Sequence, residues 1–307
     1  MRRFITKIII ISLPIMVVAL LMEILLRNTP NDYLFKKEYL DKNSSEIETL
    51  ILGSSHSFYG FNPTYFTSKT FNASHISQSL NYDFEILQKY QSNFENLKAI
   101  VLPISYFTLF GKLEADSESW RVKNYIIYYE MNTSKSFIDH SEFLGNSIYV
   151  SLKRLISYYI LEKSPISCTE LGWGKKHKSE NAIDLIKSGR AASLRHSKNI
   201  NDIKYKTIFK ENVFILSSIV KWCKDRNIKL VLLTPPAFTT YRQNLNAEQL
   251  KTTIETTSKI DSLNNNCTYL NLLYDVNFIA KDFYDADHLS EIGAAKLSTL
   301  INEKVNE

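Results

Sequence analysis

Cysteine is scarce in this 307-residue chain: Cys168, Cys223 and Cys267 lie far apart, with no C-x-x-C pair among them. That spacing suggests neither a zinc site nor a disulfide framework. One bridge is open to the chain in an oxidising compartment, but the odd count favours buried free thiols. Glycine and proline are also few, 8 and 7, which rules out collagen-like and low-complexity classes. Net charge is small once the first residues are set aside. The formal +5 includes Arg2, Arg3 and Lys7, and about +2 remains without them, too little for the footprint of a nucleic-acid binder. What is present is a 44% hydrophobic, 22% charged chain rich in Tyr and Phe, the balance of a globular α/β protein.

One apolar run stands out. From Ile8 to Met22 only Ser12 and Pro14 interrupt it, and Ile24–Leu26 continues it past Glu23. That makes about 19 residues, against the roughly 20 needed to span a hydrocarbon core. Arg2, Arg3 and Lys7 precede the run, so the positive-inside rule keeps the short N-terminus in the cytosol and exports the rest. Glu23 and Arg27 then fall at the outer interface. A cleaved signal peptide is the competing reading, but its apolar stretch is usually about 7–15 residues and ends in small residues. Here the run closes on Leu-Met-Glu-Ile-Leu-Leu-Arg, with no such site and no lipobox cysteine. The chain thus divides into a cytosolic tip and transmembrane anchor (1–27), a polar spacer (28–45) and an α/β domain (46–307).

Within that domain, Ile47–Leu52, Thr70–Ala73, Ala99–Pro103, Ile228–Leu233 and Thr268–Asn271 are short, continuously apolar strand candidates. Helical spacing of apolar residues marks Ser77–Phe94 and Val213–Arg226; Asn246 with Gln249 resembles a capping box, and Ser290 caps a last helix. Such alternation predicts a three-layer, flavodoxin-like parallel sheet covered on both faces. Ligands of such sheets bind beyond the carboxyl ends of the strands. Residues from about 107 to 206 lack strand periodicity and read as a mostly helical insertion.

Two strand-end segments carry chemistry. The first strand runs into Gly53-Ser54-Ser55-His56-Ser57, a turn that exposes a serine hydroxyl at a helix N-terminus, where free N–H groups can meet an oxyanion. A serine needs a neighbouring base. Asp285-Ala286-Asp287-His288 supplies one: a carboxylate three residues before a histidine can turn back to the imidazole and fix its tautomer.

G-S-S-H-S followed much later by D-x-x-H-L-S-x-x-G-A resembles the SGNH/GDSL hydrolase superfamily, over roughly Ile47–Ile301. The anchored layout further resembles its surface-glycopolymer branch, with D-alanyl-transfer proteins and alginate-type polysaccharide O-acetyltransferases. The resemblance implies Ser55 as nucleophile, His288 as general base, Asp285 as its partner, and the Ser55 N–H as an oxyanion donor. It implies no metal or organic cofactor. Three departures stand out. Ser54 replaces the usual aspartate. Ser74 occupies the place of the glycine that supplies an oxyanion N–H in the second block. The segment Pro103–Phe107 lacks the third block's asparagine, leaving Ser105 or Tyr106 to stand in.

The implied function is an esterase or O-acyltransferase acting on an extracytoplasmic glycan or acyl ester, with a membrane acyltransferase or an export protein as partner. Two other readings remain: a catalytically degenerate accessory protein for polysaccharide binding or export, and a plain tethered binding domain with Ser55 and His288 far apart. His56, adjacent to the serine, reads as a structural or substrate-contact residue, because a neighbour at i+1 on a helix faces away. His75 is a candidate for the same mouth. His140, His177 and His196 have no partner pattern and read as surface residues. The Lys175–Lys178 cluster reads as a solvated face, and the tyrosines at 125–129 and 158–159 as core or lid packing.

Overall fold

A computed structural model describes residues 1–132 and 134–307. The elements run α1 (Arg2–Arg27), α2 (Asp32–Asn43), β1 (Thr49–Ile51), α3 (Ser55–Gly60), β2 (Thr70–Asn72), α4 (Leu80–Lys89) and β3 (Ala99–Pro103). Then follow α5 (Val122–Ile127), α6 (Ile148–Leu155), α7 (Leu185–His196), α8 (Ile203–Lys224) and β4 (Lys229–Thr234). The chain ends with α9 (Thr239–Arg242), α10 (Ala247–Ser262), β5 (Cys267–Asn271) and α11 (Glu291–Asn306).

Two compact units share the chain. Met1–Glu38 with Ser117–Ile166 form one, and Tyr39–Asp116 with Ser167–Glu307 form the other, which holds the whole sheet. All five strands pair in parallel, in the order β2-β1-β3-β4-β5. This is the flavodoxin-like order, with its reversal between β1 and β3. Side chains alternate across the pleat, so Ile51, Val101, Val231 and Leu233 share one face and form a core with Leu297 and Ile301 of α11. α4 and α8 pack together, as do α3 and α11. Asn246 and Ser290 are the N-caps of α10 and α11, accepting from the N–H groups of Gln249 and Gly293.

In the other unit, α1 carries a helix from Arg3 to Arg27 with mean hydropathy 2.8 over its most apolar stretch, none of it buried. By length and composition it can cross a membrane, a property it shares with signal sequences.

One expectation needs correction. The polar stretch 28–45 is no bare spacer, because Asp32–Asn43 is helical, with Tyr33, Lys36 and Leu40 buried along it. The mostly helical stretch 107–206 is divided between the units. Residues 117–166 belong to the first unit, whereas the remainder of 107–206 belongs with the sheet. Short helices fill it, and none of the five strands falls within it among the described residues.

Candidate active site

β1 passes through Leu52 and Gly53 to Ser54, the N-cap of α3. Gly53 has φ +109°, and a Cβ there would lie 2.6 Å from Ser57 Oγ, so the turn requires glycine. Its N–H donates to Asp83 Oδ1 at 2.7 Å, and Gln78 Nε2 donates to the same oxygen at 2.6 Å. Burial of Asp83 outweighs both donors and pushes its pKa up to about 7. The turn delivers Ser55 as the first residue of α3, where a backbone N–H has no acceptor within the helix.

The partner segment precedes α11. Asp285 Oδ1 accepts the backbone N–H groups of Asp287 (3.0 Å) and His288 (2.7 Å), which folds the carboxylate back over its own loop. There both its oxygens lie 3.0 Å from His288 Nδ1. The other ring nitrogen, Nε2, lies 2.8 Å from Ser55 Oγ. Packing of α3 on α11 brings the two segments together. The tethered-domain reading, which needs Ser55 and His288 apart, does not fit this contact. An imidazole held at Nδ1 by a carboxylate, with Nε2 against a hydroxyl, can accept that hydroxyl's proton as the oxygen attacks a carbonyl.

Asp287 is the most connected charge of the site. It is buried, and its oxygens lie 3.5 Å from His56 Nε2, 3.6 Å from His196 Nδ1, 3.6 Å from His288 Nδ1 and 3.8 Å from the Arg195 guanidinium. Burial alone would raise its pKa, but the charge of His288 and the hydrogen bond from His56 hold it well below the usual carboxylate range. For His288, burial opposes the charged form, yet the Asp287 and Asp285 carboxylates reverse this and raise its pKa to about 9. Burial lowers the pKa of His56 against the opposing hydrogen bond to Asp287, and burial with the neighbouring positive groups holds that of His196 well below its ordinary value.

The expected oxyanion and substrate residues fare differently. His56, expected to face away from Ser55, joins the same cluster: Nδ1 meets Ser105 Oγ at 2.7 Å, and its ring lies 5.0 Å from that of His288. Ser105 thus comes to the site through His56 and bridges from the end of β3 to the end of β1. Ser74 is buried, and its N–H, expected to face an oxyanion, instead donates to Asn72 Oδ1 at 3.1 Å. Tyr106 is corrected too. Its hydroxyl pairs with Ser197 Oγ at 2.8 Å and accepts the Asn246 N–H at 3.0 Å, so it fastens the start of α10. His75 is buried.

His177 and His196 are not surface residues. His177 is stacked between Tyr59 and Tyr284, at centroid distances of 3.5 and 4.0 Å, and lies 5.2 Å from the His288 ring. Its burial, with His288 nearby, lowers its pKa to about 3. His196, at the end of α7, pairs Nδ1 with the Tyr241 hydroxyl at 2.8 Å. Neither had a sequence signal, since both arrive from the strandless insertion. Asp287 had one, in the D-x-D-H spacing that puts a second carboxylate beside the same imidazole.

His56, Asp287 and His288 offer ligand atoms within 4.8 Å of one another, a group able to hold a metal ion. Both His288 nitrogens and His56 Nδ1 are already engaged, so an ion there would compete with the Asp285 and Ser55 contacts.

No protein-family model matches the chain, and no curated protein matches it. Solved structures similar to it include one provisionally described as a platelet activating factor from Streptococcus pneumonia. It is 11% identical, with a TM-score of 0.45, over 96% of this chain and 98% of that one. A GDSL-like lipase from Bacteroides thetaiotaomicron is likewise 11% identical, with a TM-score of 0.39, over 89% of this chain and 98% of that one. Both are distant likenesses.

Proposed function

We propose that the α/β unit is an SGNH-type serine esterase or O-acyltransferase acting on an extracytoplasmic glycan or cell-surface polysaccharide. The observation that carries this reading is the 2.8 Å approach of His288 Nε2 to Ser55 Oγ, with Asp285 on the opposite nitrogen. Ser55 Oγ attacks the acyl carbonyl, and His288 takes the hydroxyl proton. The tetrahedral oxyanion meets the Ser55 N–H. Collapse expels the alkoxide, which leaves with the proton from His288, and an acyl-serine remains. Water or a sugar hydroxyl then gives its proton to His288 and attacks the acyl-serine, releasing acid or new ester and restoring Ser55. Asp285 holds the imidazole in register throughout. Hydrolysis and transfer differ only in which acceptor arrives.

In this reading α1 anchors the protein, with the N-terminus cytosolic and the α/β unit outside. A polytopic membrane acyltransferase or an export protein is the partner class that would deliver the acyl group or the polymer.

Replacing Ser55 with Ala is expected to abolish both acetyl release from an activated ester and labelling by a fluorophosphonate. Undiminished turnover in that variant sinks the assignment. A second reading, a non-catalytic accessory protein, draws support from the engaged Ser74 N–H and the missing asparagine donor. Losing one oxyanion donor costs about 10²–10³ in rate. The fluorophosphonate separates the two readings, because an unactivated serine does not react with it.

A further inference from the structure

We propose that the segment from Phe137 to Leu161 lies in the membrane interface at the outer end of α1, with the apolar face of α6 inserted among the lipids. The inference rests on α1 being a membrane span and goes beyond the chemistry of Ser55.

α6 is built inside out for a water-facing helix. Its polar Ser151 is fully buried, and Arg154 turns inward to Glu142 at 2.6 Å. Ile148, Tyr149, Leu152 and Ile156 point outward, and the helix continues as a π-type turn to Ile160, also exposed. Tyr149 is 73% exposed and Ile160 is 72% exposed. A soluble surface helix puts its apolar stripe toward the core, and a contiguous exposed stripe of this kind marks a contact with protein or membrane. The same unit names the occupant. α6 packs against α1, and the Tyr159 hydroxyl donates to the Leu25 carbonyl at 3.1 Å. The bare apolar surface of α6 is therefore continuous with the bare apolar surface of α1.

Glu23 fixes the depth. It is the one acid in the apolar run, and such residues are costly in a membrane unless partnered. Its carboxylate accepts the Ser141 hydroxyl (2.8 Å) and the N–H groups of Glu142 (3.1 Å) and Phe143 (2.8 Å), besides the Arg27 guanidinium (2.6 Å). Arg27 also donates to the His140 carbonyl at 2.6 Å. The loop before α6 is thus tied to the last turn of α1. At about 1.5 Å rise per residue, a span opening near Lys7 reaches the far headgroups at that turn. An apolar helix held at that level lies in the interface.

The test uses the full chain reconstituted in phosphatidylethanolamine/phosphatidylglycerol vesicles. Tyr149→Cys and Ile160→Cys each receive an environment-sensitive thiol dye, as does Lys251→Cys, an exposed control on α10; the native cysteines are all buried. The expected result is blue-shifted emission at 149 and 160, quenched severalfold by spin-labelled lipid and little by aqueous iodide, with the reverse at 251. Iodide quenching at 149 and 160 equal to that at 251 overturns the proposal, and so does protection from both quenchers, which means a protein partner. Flotation with the vesicles separates the two premises: protein that floats without lipid quenching keeps the anchor and loses the interface helix, and protein that does not float loses both.

Discussion

The Asp83 carboxylate accepts the Gly53 N–H at 2.7 Å, so α4 holds the turn that delivers Ser55. Because Asp83 is buried with a pKa pushed to about 7 from an ordinary 3.8, folding binds a proton. Its contribution to stability is fully present below pH 3.8 and is lost as pH rises through 7. Asp83→Asn keeps an acceptor for Gly53 and is expected to flatten the dependence of melting temperature on pH over that window. Asp83→Ala leaves the Gly53 N–H without its acceptor and is expected to cost about 1–3 kcal/mol in denaturant unfolding.

The paired carboxylates around His288 set a pH profile. With its pKa raised to about 9, the imidazole is protonated at neutral pH and gains its basic form only as pH rises. Ester turnover is expected to climb through neutral pH toward that value. Asp287→Asn removes one of the two stabilising charges, so the climb is expected to move to lower pH in kcat/KM profiles with an activated ester. An unmoved profile means that Asp287 does not govern His288. Stability follows the same sign: the contribution of His288 is complete below pH 6.5 and lost as pH rises through about 9.

Gly53→Ala adds a Cβ 2.6 Å from Ser57 Oγ at φ +109°. The turn must shift to accept it. Misplacement of a reacting group by about 1 Å costs on the order of 10²-fold in rate, so turnover is expected to fall by that order while the variant still folds. Steady-state kinetics alongside circular dichroism checks this.

In the other unit, Glu142 is fully buried and accepts from Lys123 (2.5 Å), Arg154 (2.6 Å) and the Tyr128 hydroxyl (2.7 Å). Glu142→Gln strands the buried Lys123 ammonium, a kind of change that costs about 3–5 kcal/mol. Pairing it with Lys123→Met is expected to recover most of the loss, read as cooperative unfolding of the detergent-solubilised chain.

Much of this was legible because strands that are buried on both faces write themselves as continuous apolar runs. Ala99–Pro103 matches β3 in both bounds, and the Ser290 and Asn246 caps match α11 and α10. The approach of Ser55 to His288 was legible because each lies next to a strand end or a helix cap with a short sequence signature. α2 was hidden because its buried positions Tyr33, Lys36 and Leu40 include a lysine, which breaks the apolar period. His177 and His196 were hidden for another reason: their neighbours are distant in sequence, and nothing local distinguishes them from surface histidines. Ser74 misled because a backbone donor's partner depends on a side chain, Asn72, two residues away.

The contact between Ser55 and His288 joins residues 233 positions apart. At roughly 5–20 residues per second of synthesis, a growing chain carries the hydroxyl-bearing turn for on the order of tens of seconds before the imidazole exists. Partial products and fragments cut short of Asp285 have a serine with nothing to awaken it. Acyl chemistry of the proposed kind therefore waits on synthesis of the segment from Asp285 to His288, and a product that lacks it is inert toward esters.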